Sequence, residues 1–181
     1  MKNLITSVLL AATMALAIPA GAQSRANSSG GNSPHETTGA VIDGNRVTIT
    51  YGRPYAKGRK VWGTLVPWAK AWRLGSDEAT TLITQQPIVI GDKTIPAGVY
   101  VLYMVPQENG TSQLAFSTKL GGWGIPVDEK NDLCRVDLKK DALTDKAEQL
   151  TIGVSRNSGG GGLITIKWDD AQYSVAFTVK K

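Results

Sequence analysis

The fold class follows first from residues 40–51, which read AVIDGNRVTITY. Asp43-Gly44 is a strong hairpin-turn signal, because glycine adopts a positive φ without strain. After this turn Val47, Ile49 and Tyr51 alternate with polar residues, which is the period of a strand that buries one face. The stretch therefore predicts a β-hairpin.

Short strands are predicted at regular intervals along the rest of the chain. They cover residues 80–84, 88–90, 93–95, 98–105, 111–118, 133–138, 149–154, 163–168 and 173–179. We expect Asp169-Asp170 to turn the last two strands into a hairpin. Because turns separate many short strands and no amphipathic helix exceeds about two turns, the sequence predicts an all-β fold with little helix. The expected architecture is an antiparallel, jelly-roll-like β-sandwich.

The N-terminal residues predict an exported protein. Lys2 precedes an apolar stretch at residues 4–18, and Ala20-Gly21-Ala22 supplies the small side chains of a cleavage site. Residues 1–22 are therefore predicted to be a cleavable signal peptide. The apolar stretch is shorter than the roughly 20 residues that span a bilayer, so we expect no stable membrane insertion after cleavage. The mature protein is expected to be periplasmic or secreted.

Downstream of the predicted cleavage site the chain divides into two parts. Residues 23–33 are small and polar, which predicts a disordered leader. Residues 34–181 have the length of one ordinary domain and are predicted to form the sandwich. The only cysteine, Cys134, excludes an internal disulfide and lies far from the cleavage site, where a lipid anchor would need it. Its strand-like surroundings favour a buried structural thiol.

The composition also argues against several classes of site. Zinc sites use three or four histidine, cysteine or carboxylate ligands, whereas this chain has one histidine and one cysteine. Its sequence contains no nucleophile elbow, P-loop or EF-hand run. We therefore expect no metal and no cofactor. The formal charge of +5 is scattered along the chain, so we expect no nucleic-acid partner.

Residues 52–79 interrupt the strand pattern with an irregular connection rich in tryptophan and arginine. Long irregular connections in compact domains are often functional. Arginine presents a planar fork of donors to carboxylate or sulfate groups, and tryptophan presents a flat face to sugar rings. A short helical turn is predicted at residues 67–72, with proline at its first position. The candidate ligand-binding residues are Arg53, Arg59, Trp62, Trp72, Arg73, Glu78, Thr80 and His35.

The same segment resembles the signature of a known family. The resemblance rests on Tyr51-Gly52-Arg53-Pro54, Lys57-Gly58-Arg59, Trp62-Gly63, Leu65-Val66-Pro67, Trp72-Arg73-Leu74-Gly75 and Glu78-Ala79-Thr80, and on Ile95-Pro96-Ala97-Gly98-Val99-Tyr100, Trp123-Gly124, Trp168 and His35. Spread over residues 33–180, these runs resemble an exported bacterial family catalogued as domain of unknown function 2911. The resemblance implies a secreted or periplasmic, β-rich domain and carries over no catalytic residue.

One departure from that family pattern concerns Ser76-Asp77, where the family usually has a small residue followed by asparagine. The extra charge next to Glu78 argues against a simple anion site centred on Arg73. A structural role is also open for each candidate residue. Tryptophan is usually buried in a core, and an arginine beside Asp77 and Glu78 is usually paired with them to fix a loop.

Three functions are compatible with the sequence. The first is a non-catalytic binding module for an anionic glycan or a small carboxylated ligand, which requires the arginines and tryptophans to converge on one concave surface. The second is an extracytoplasmic enzyme acting on a glycan-like substrate, with Glu78 or Asp77 as acid/base. That role requires a carboxyl group in a pocket with a raised pKa. The third is an assembly or protein-interaction domain, which requires a large exposed apolar patch.

Overall fold

The computed structural model describes residues 33–181 and contains nine strands and a short 3-10 turn in that range. The predicted signal peptide and residues 23–32 of the predicted leader lie outside the described residues. The strands are β1 (His35–Ile42), β2 (Asn45–Gly52), β3 (Thr81–Thr84), β4 (Ile88–Ile90), β5 (Lys93–Ile95), β6 (Gly98–Val105), β7 (Ser112–Ser117), β8 (Asp132–Arg156) and β9 (Gly162–Val179). The turn is Glu129–Asn131.

All nine strands belong to one antiparallel sheet with the order β1-β2-β3-β6-β7-β8-β9-β4-β5. The sheet folds over, so that β2 faces the second half of β8. Across this contact the Tyr51 hydroxyl donates to the Ile152 carbonyl at 3.2 Å and accepts from the Ile152 N–H at 2.8 Å. The predicted all-β, antiparallel sandwich is therefore confirmed, and its layers come from a single bent sheet.

The predicted first hairpin is also confirmed. Asp43 and Gly44 both have a positive φ, of 49° and 84°, as a two-residue hairpin turn requires. Their neighbours pair Ile42 with Asn45, and the pairing continues to the start of β1. The alternating residues of β2 point into the core, where Val47 and Ile49 are fully buried. The turn residues and the alternation of apolar and polar residues in β2 therefore both agree with the observed hairpin.

Three predictions about the second half of the chain are wrong in a related way. Residues 133–138 and 149–154 belong to the single strand β8, and residues 163–168 and 173–179 belong to the single strand β9. The predicted turn at Asp169-Asp170 does not form. Instead Asp169 lies opposite Ala147, where the β8–β9 register shifts, and it has a φ of 50°. The two aspartates thus mark a bulge that bends a continuous strand rather than a reversal of the chain.

The predicted helical turn at residues 67–72 is wrong as well. Ala69 has a φ of 57°, which does not belong to a right-handed helix, and Trp72 is extended. The Trp72 N–H donates to the Met104 carbonyl at 2.7 Å, and the Met104 N–H donates back at 2.8 Å. Pairing with β6 therefore replaces the local helix, while the connection between β2 and β3 is otherwise irregular, as predicted.

Aromatic side chains fill the space between the layers. The largest fully buried ones are Trp168, Tyr51, Tyr103, Tyr173, Phe116 and Phe177. Trp62 joins them from the irregular connection, with its ring centroid 5.0 Å from that of Tyr173. The irregular connection is thus anchored in the core by its own tryptophan.

Cys134 lies half-buried on β8 as a free thiol. Burial raises the pKa of this thiol, which disfavours the reactive thiolate.

Candidate functional site

Arg53 begins the irregular connection and is committed to contacts inside the protein. It forms an ion pair with Glu36, whose side chain is 2% exposed. Its Nε donates to the Leu150 carbonyl at 3.0 Å, and its Nη2 donates to Thr151 Oγ1 at 2.9 Å. These bonds join β1, the connection and β8. Because its donors are engaged, Arg53 has a structural role here and we do not place it in the candidate site.

Trp62 and Thr80 are likewise engaged in the interior. Trp62 is 4% exposed, and its Nε1 donates to the Trp168 carbonyl at 3.0 Å. Thr80 is fully buried, and its Oγ1 donates to the Leu74 carbonyl at 2.9 Å. Both residues fix the course of the connection, which corresponds to the structural alternative stated for them.

His35 Nε2 and Glu78 Oε2 lie 2.6 Å apart, which is a hydrogen-bond distance. The Glu78 side chain is 64% exposed. A hydrogen bond from its own backbone N–H, and then its contacts with His35, lower the pKa of Glu78. A general acid at neutral pH needs the opposite shift. The geometry therefore does not favour Glu78 as the acid of an enzyme.

Asp77 is the residue at which this chain departs from the family pattern, which usually has asparagine there. Its φ is 62°, a left-handed conformation that asparagine and aspartate tolerate better than most side chains. Aspartate therefore keeps the same backbone turn as asparagine. Its carbonyl oxygen, rather than its carboxylate, accepts from Arg73 Nη1 at 3.0 Å. The extra carboxylate thus forms no ion pair with Arg73 among the described residues.

A cavity of about 530 Å³ collects the remaining candidates, and we call it the basic cavity. Its charged side chains are Lys57, Arg59 and Arg73, and its aromatic ones are Tyr55, Trp72 and Trp168. The rest of the lining consists of Ser33, Pro54, Leu65, Ala71, Gly75, Ser76 and Ile125. No carboxylate lines it among the described residues. The cavity therefore combines positive charge with an aromatic wall.

Backbone carbonyls hold the two arginines of the basic cavity without neutralising them. Arg59 donates from Nε to the Ala56 carbonyl at 2.8 Å and from Nη2 to the Tyr55 carbonyl at 2.7 Å. Arg73 donates from Nε to the Gly75 carbonyl at 3.2 Å. Within residues 33–181 neither arginine forms a salt bridge, and Arg59 Nη1 and Arg73 Nη2 make no hydrogen bond. Those donors and their charges are available to a ligand.

Lys57 adds a third charge. Its side chain is exposed and forms no salt bridge within the described chain. Its backbone N–H donates to Glu148 Oε1 at 2.8 Å, which fixes the lysine at the mouth of the cavity, although Glu148 does not line it. None of the three side chains forms a salt bridge among residues 33–181, so three positive charges lie at one concave surface.

Two buried polar atoms of the cavity residues lack hydrogen-bond partners among residues 33–181. They are Trp168 Nε1, on a residue that is 2% exposed, and Ser76 Oγ. A buried donor without an acceptor costs about 1–3 kcal/mol. The backbone at Ser76 packs directly against Gly52. This is possible because glycine has no Cβ, which would overlap the Ser76 carbonyl oxygen.

The aromatic wall is packed against the core through ring contacts. Trp72 stacks on Trp168 with ring centroids 5.7 Å apart and an interplanar angle of 21°. The edge of Trp72 in turn meets Trp62, with centroids 5.8 Å apart. Because Trp62 is anchored in the core, Trp72 presents a fixed surface to the cavity. Such a surface suits a ring or an apolar group of a bound molecule.

A second, smaller cavity of about 150 Å³ lies against the loop at residues 119–128, and we call it the apolar cavity. Its apolar residues are Val101, Tyr103, Trp123, Ile125, Pro126 and Val127, and Ser117, Lys119, Gly121, Gly122, Gly124 and Asp128 complete the lining. Trp123 and Ile125 are 58% and 59% exposed. Ile125 lines both cavities.

Some cavity residues carried a sequence signal and others did not. Tyr55 and Lys57 lie inside the connection that composition had marked as a candidate. Trp168 and Ile125 come from strands and loops far along the chain, and only the bent sheet brings them to the connection. Within residues 33–181, no three or more metal-ligating side chains cluster, and no helix has the length and apolar character needed to span a membrane.

Comparison with known proteins gives one match. A family model described as "Protein of unknown function (DUF2911)" matches residues 33–177. No curated protein and no solved structure matches the chain. The match covers the connection, both cavities and all nine strands except the end of β9. It confirms the resemblance drawn from the sequence.

Proposed function

The chain belongs to the DUF2911 family of proteins of unknown function, and we propose that it is an exported, non-catalytic module that binds a small carboxylated ligand in the basic cavity. One observation carries this proposal: Lys57, Arg59 and Arg73 line one cavity without a carboxylate partner in the described chain. Unmatched positive charge beside an aromatic wall is the arrangement that an anionic small molecule complements.

The chemistry of the donors supports a carboxylate. A guanidinium offers two parallel N–H donors that match the two oxygens of a carboxylate, and an ammonium adds a point charge from the side. In this site Arg59 Nη1 and Arg73 Nη2 are the guanidinium nitrogens that make no hydrogen bond among residues 33–181, so each arginine has one nitrogen available to a carboxylate oxygen. A cavity of about 530 Å³ also lies within the range of small-molecule sites.

An anionic glycan is the second candidate. Tyr55 and Trp72 provide flat aromatic surfaces next to the basic side chains, on which an acidic sugar ring would stack. A uronic acid carries both the ring and the carboxylate. The two candidates differ in whether binding depends on hydroxyl groups or on apolar surface, so uronates and simple carboxylates need to be compared directly.

Catalysis has no comparable support. The basic cavity contains no histidine, cysteine or carboxylate among its described lining residues. Glu78 and Asp77 lie outside that lining, and the pKa of Glu78 is lowered. An assembly role has the exposed side chains of Trp123 and Ile125 in its favour, but the charge of the basic cavity makes a small ligand the better-supported proposal.

Isothermal titration calorimetry tests the proposal with hexanoate, glucuronate and neutral glucose. We expect binding of at least one of the two acids and none of glucose. Lys57→Ala should weaken that binding about fivefold, because it removes about 1 kcal/mol of attraction at close range. Lys70→Ala is the matched control, since Lys70 is exposed in the same connection but lines neither cavity. Equal affinity in both variants, or binding of neither acid, would contradict the proposal.

The export part of the proposal has its own test. Cell fractionation followed by N-terminal sequencing should find the protein outside the cytoplasm with Gln23 as its first residue, because Ala20-Gly21-Ala22 matches a signal-peptidase site. Replacing Ala22 with a bulky residue, Ala22→Tyr, should block cleavage. Recovery of the intact N-terminus from the cytoplasm would contradict export.

A further inference from the structure

We propose that the ligand carries an apolar tail and that this tail occupies the apolar cavity, while its carboxylate is held by Lys57, Arg59 and Arg73. This inference rests on the proposed function and selects a class within it, namely amphiphilic monocarboxylic acids rather than uronic sugars. The observation behind it is independent of the basic charges: a second cavity with a mostly apolar lining adjoins the first.

The two cavities adjoin each other at the loop of residues 121–128. Ile125 lines both of them. The Trp123 carbonyl, from the same loop, accepts from Arg73 Nη1 at 3.3 Å. Gly124 has a φ of 69°, and a Cβ at this position would stand 3.2 Å from Arg73 Cβ. The loop that lines the apolar cavity therefore rests directly on an arginine of the basic cavity.

The polar groups of the apolar cavity are already engaged. The Tyr103 hydroxyl donates to Asp132 and accepts from Arg135 Nη2 at 2.7 Å. Lys119 Nζ lies 3.4 Å from Asp128 Oδ2. Since these groups satisfy one another, the cavity offers a guest mainly hydrocarbon surface. A polar sugar would gain little there, whereas an alkyl group would lose its contact with water.

Three exposed apolar side chains lie on the loop beside the apolar cavity. Leu120, Trp123 and Ile125 are 55%, 58% and 59% exposed and lie within six residues of one another. Of these, Trp123 and Ile125 also line the apolar cavity, and covering their exposed apolar surface is favourable. The neighbouring positive charge explains why the occupant would be an acid rather than a neutral hydrocarbon.

The volume sets an expected tail length. A cavity of about 150 Å³ accepts a group the size of benzene, which is about six carbons. We therefore expect affinity to increase along the series butyrate, hexanoate, octanoate by about three- to fourfold for each buried methylene. The increase should stop once the cavity is full, so that decanoate binds about as tightly as octanoate.

Calorimetry with this series, at concentrations below micelle formation, tests the inference on the purified protein. Val127→Trp fills the apolar cavity without touching the basic one, and it should abolish the gain beyond butyrate. Val41→Trp is the matched control, because Val41 is 44% exposed on β1 and lines neither cavity; it should leave the series unchanged. Trp123→Ala provides a second variant at an exposed position and should reduce the gain for each methylene.

The outcomes separate the two proposals. Equal affinity along the series, with binding that still depends on Lys57, would contradict binding of the tail in the apolar cavity. It would not contradict binding of the carboxylate in the basic cavity. The same length dependence in Val127→Trp as in the unmodified protein would also overturn it, since the tail would then lie elsewhere. Loss of binding for every acid, glucuronate included, would reject the carboxylate site itself.

Discussion

Arg53 and Glu36 form the most buried ion pair of the described chain, with side chains 12% and 2% exposed. Removing one partner leaves the other charge buried without compensation, which typically costs about 3–5 kcal/mol. We expect Glu36→Gln to lower the free energy of unfolding by about 3 kcal/mol, measured by urea denaturation. The double change Glu36→Leu with Arg53→Met should recover at least half of that loss. A single-variant loss below about 1 kcal/mol would show that the pair is dispensable.

The phenol of Tyr51 makes the free energy of unfolding decrease at alkaline pH. Burial raises the pKa of Tyr51 to about 12, from an ordinary value near 10. The unfolded chain therefore loses this proton first, and stability decreases as the pH rises from about 10 to about 12. Burial also raises the pKa of Tyr173 to about 12, which acts in the same direction.

Tyr51→Phe isolates this contribution. At pH 8 the variant should be about 1 kcal/mol less stable, because the Ile152 N–H and carbonyl lose their partner. Between pH 9 and pH 11.5 it should lose about 1–2 kcal/mol less than the unmodified protein does. Urea denaturation at both pH values measures the difference. Parallel pH profiles of the two proteins would contradict the assignment.

At the scale of elements, the bulge at Asp169 is the feature that positions the irregular connection. Its Oδ2 accepts from the Val61 N–H at 3.3 Å, and its Oδ1 accepts from Lys146 Nζ at 2.8 Å. Asp169→Ala should cost about 2 kcal/mol of stability, since a buried N–H loses its acceptor and alanine tolerates the positive φ poorly. Asp169→Asn should keep most of it.

Lys146→Ala is the control for that experiment. The Lys146 side chain is 71% exposed, and exposed ion pairs contribute about 0–1 kcal/mol. We therefore expect a loss within about 0.5 kcal/mol in thermal or urea denaturation. If Asp169→Ala cost no more than Lys146→Ala, the bond to Val61 would not be what holds the connection in place.

The same bulge shows where prediction from sequence stops. The strands of the first hairpin were predictable because Asp43-Gly44 and the alternation after it are local signals. At Asp169-Asp170 the same kind of residue forms a bulge, since Ala147 and Val61 supply long-range partners. Trp72 was placed in a helix by its local sequence, but pairing with Met104 made it extended. In these examples a local sequence signal predicted the structure correctly only where no residue distant in the sequence formed a competing contact.

For the whole molecule, the composition of residues 51–80 indicated the segment that contributes most of the lining of the basic cavity, but not which of its side chains reach that cavity. Arg59, Trp72 and Arg73 reach the basic cavity, whereas Arg53, Trp62 and Thr80 hold the connection to the core. The sequence does not distinguish these groups, because the distinction depends on which face of the connection meets the bent sheet. The far wall, with Trp168 and Ile125, exists only after the chain has folded.

The charge of the whole molecule and the charge of the basic cavity have separable effects on binding. The chain has a formal charge of +5, so every anion is attracted from a distance. In addition, Lys57, Arg59 and Arg73 act at short range, where each contributes about 0.5–1 kcal/mol at ~4–8 Å in water. Salt screens exposed charges, with a Debye length that decreases to about 3 Å at 1 M.

We therefore expect carboxylate affinity, measured by calorimetry, to decrease about tenfold between ~0.01 M and ~1 M NaCl. Lys57→Ala and Lys70→Ala both lower the net charge by one, yet only Lys57→Ala should reduce this salt dependence, by about a third, because one of three nearby charges is lost. If both variants changed the salt dependence equally, the net charge would attract the ligand and the basic cavity would not. Affinity independent of salt would contradict a charged site altogether.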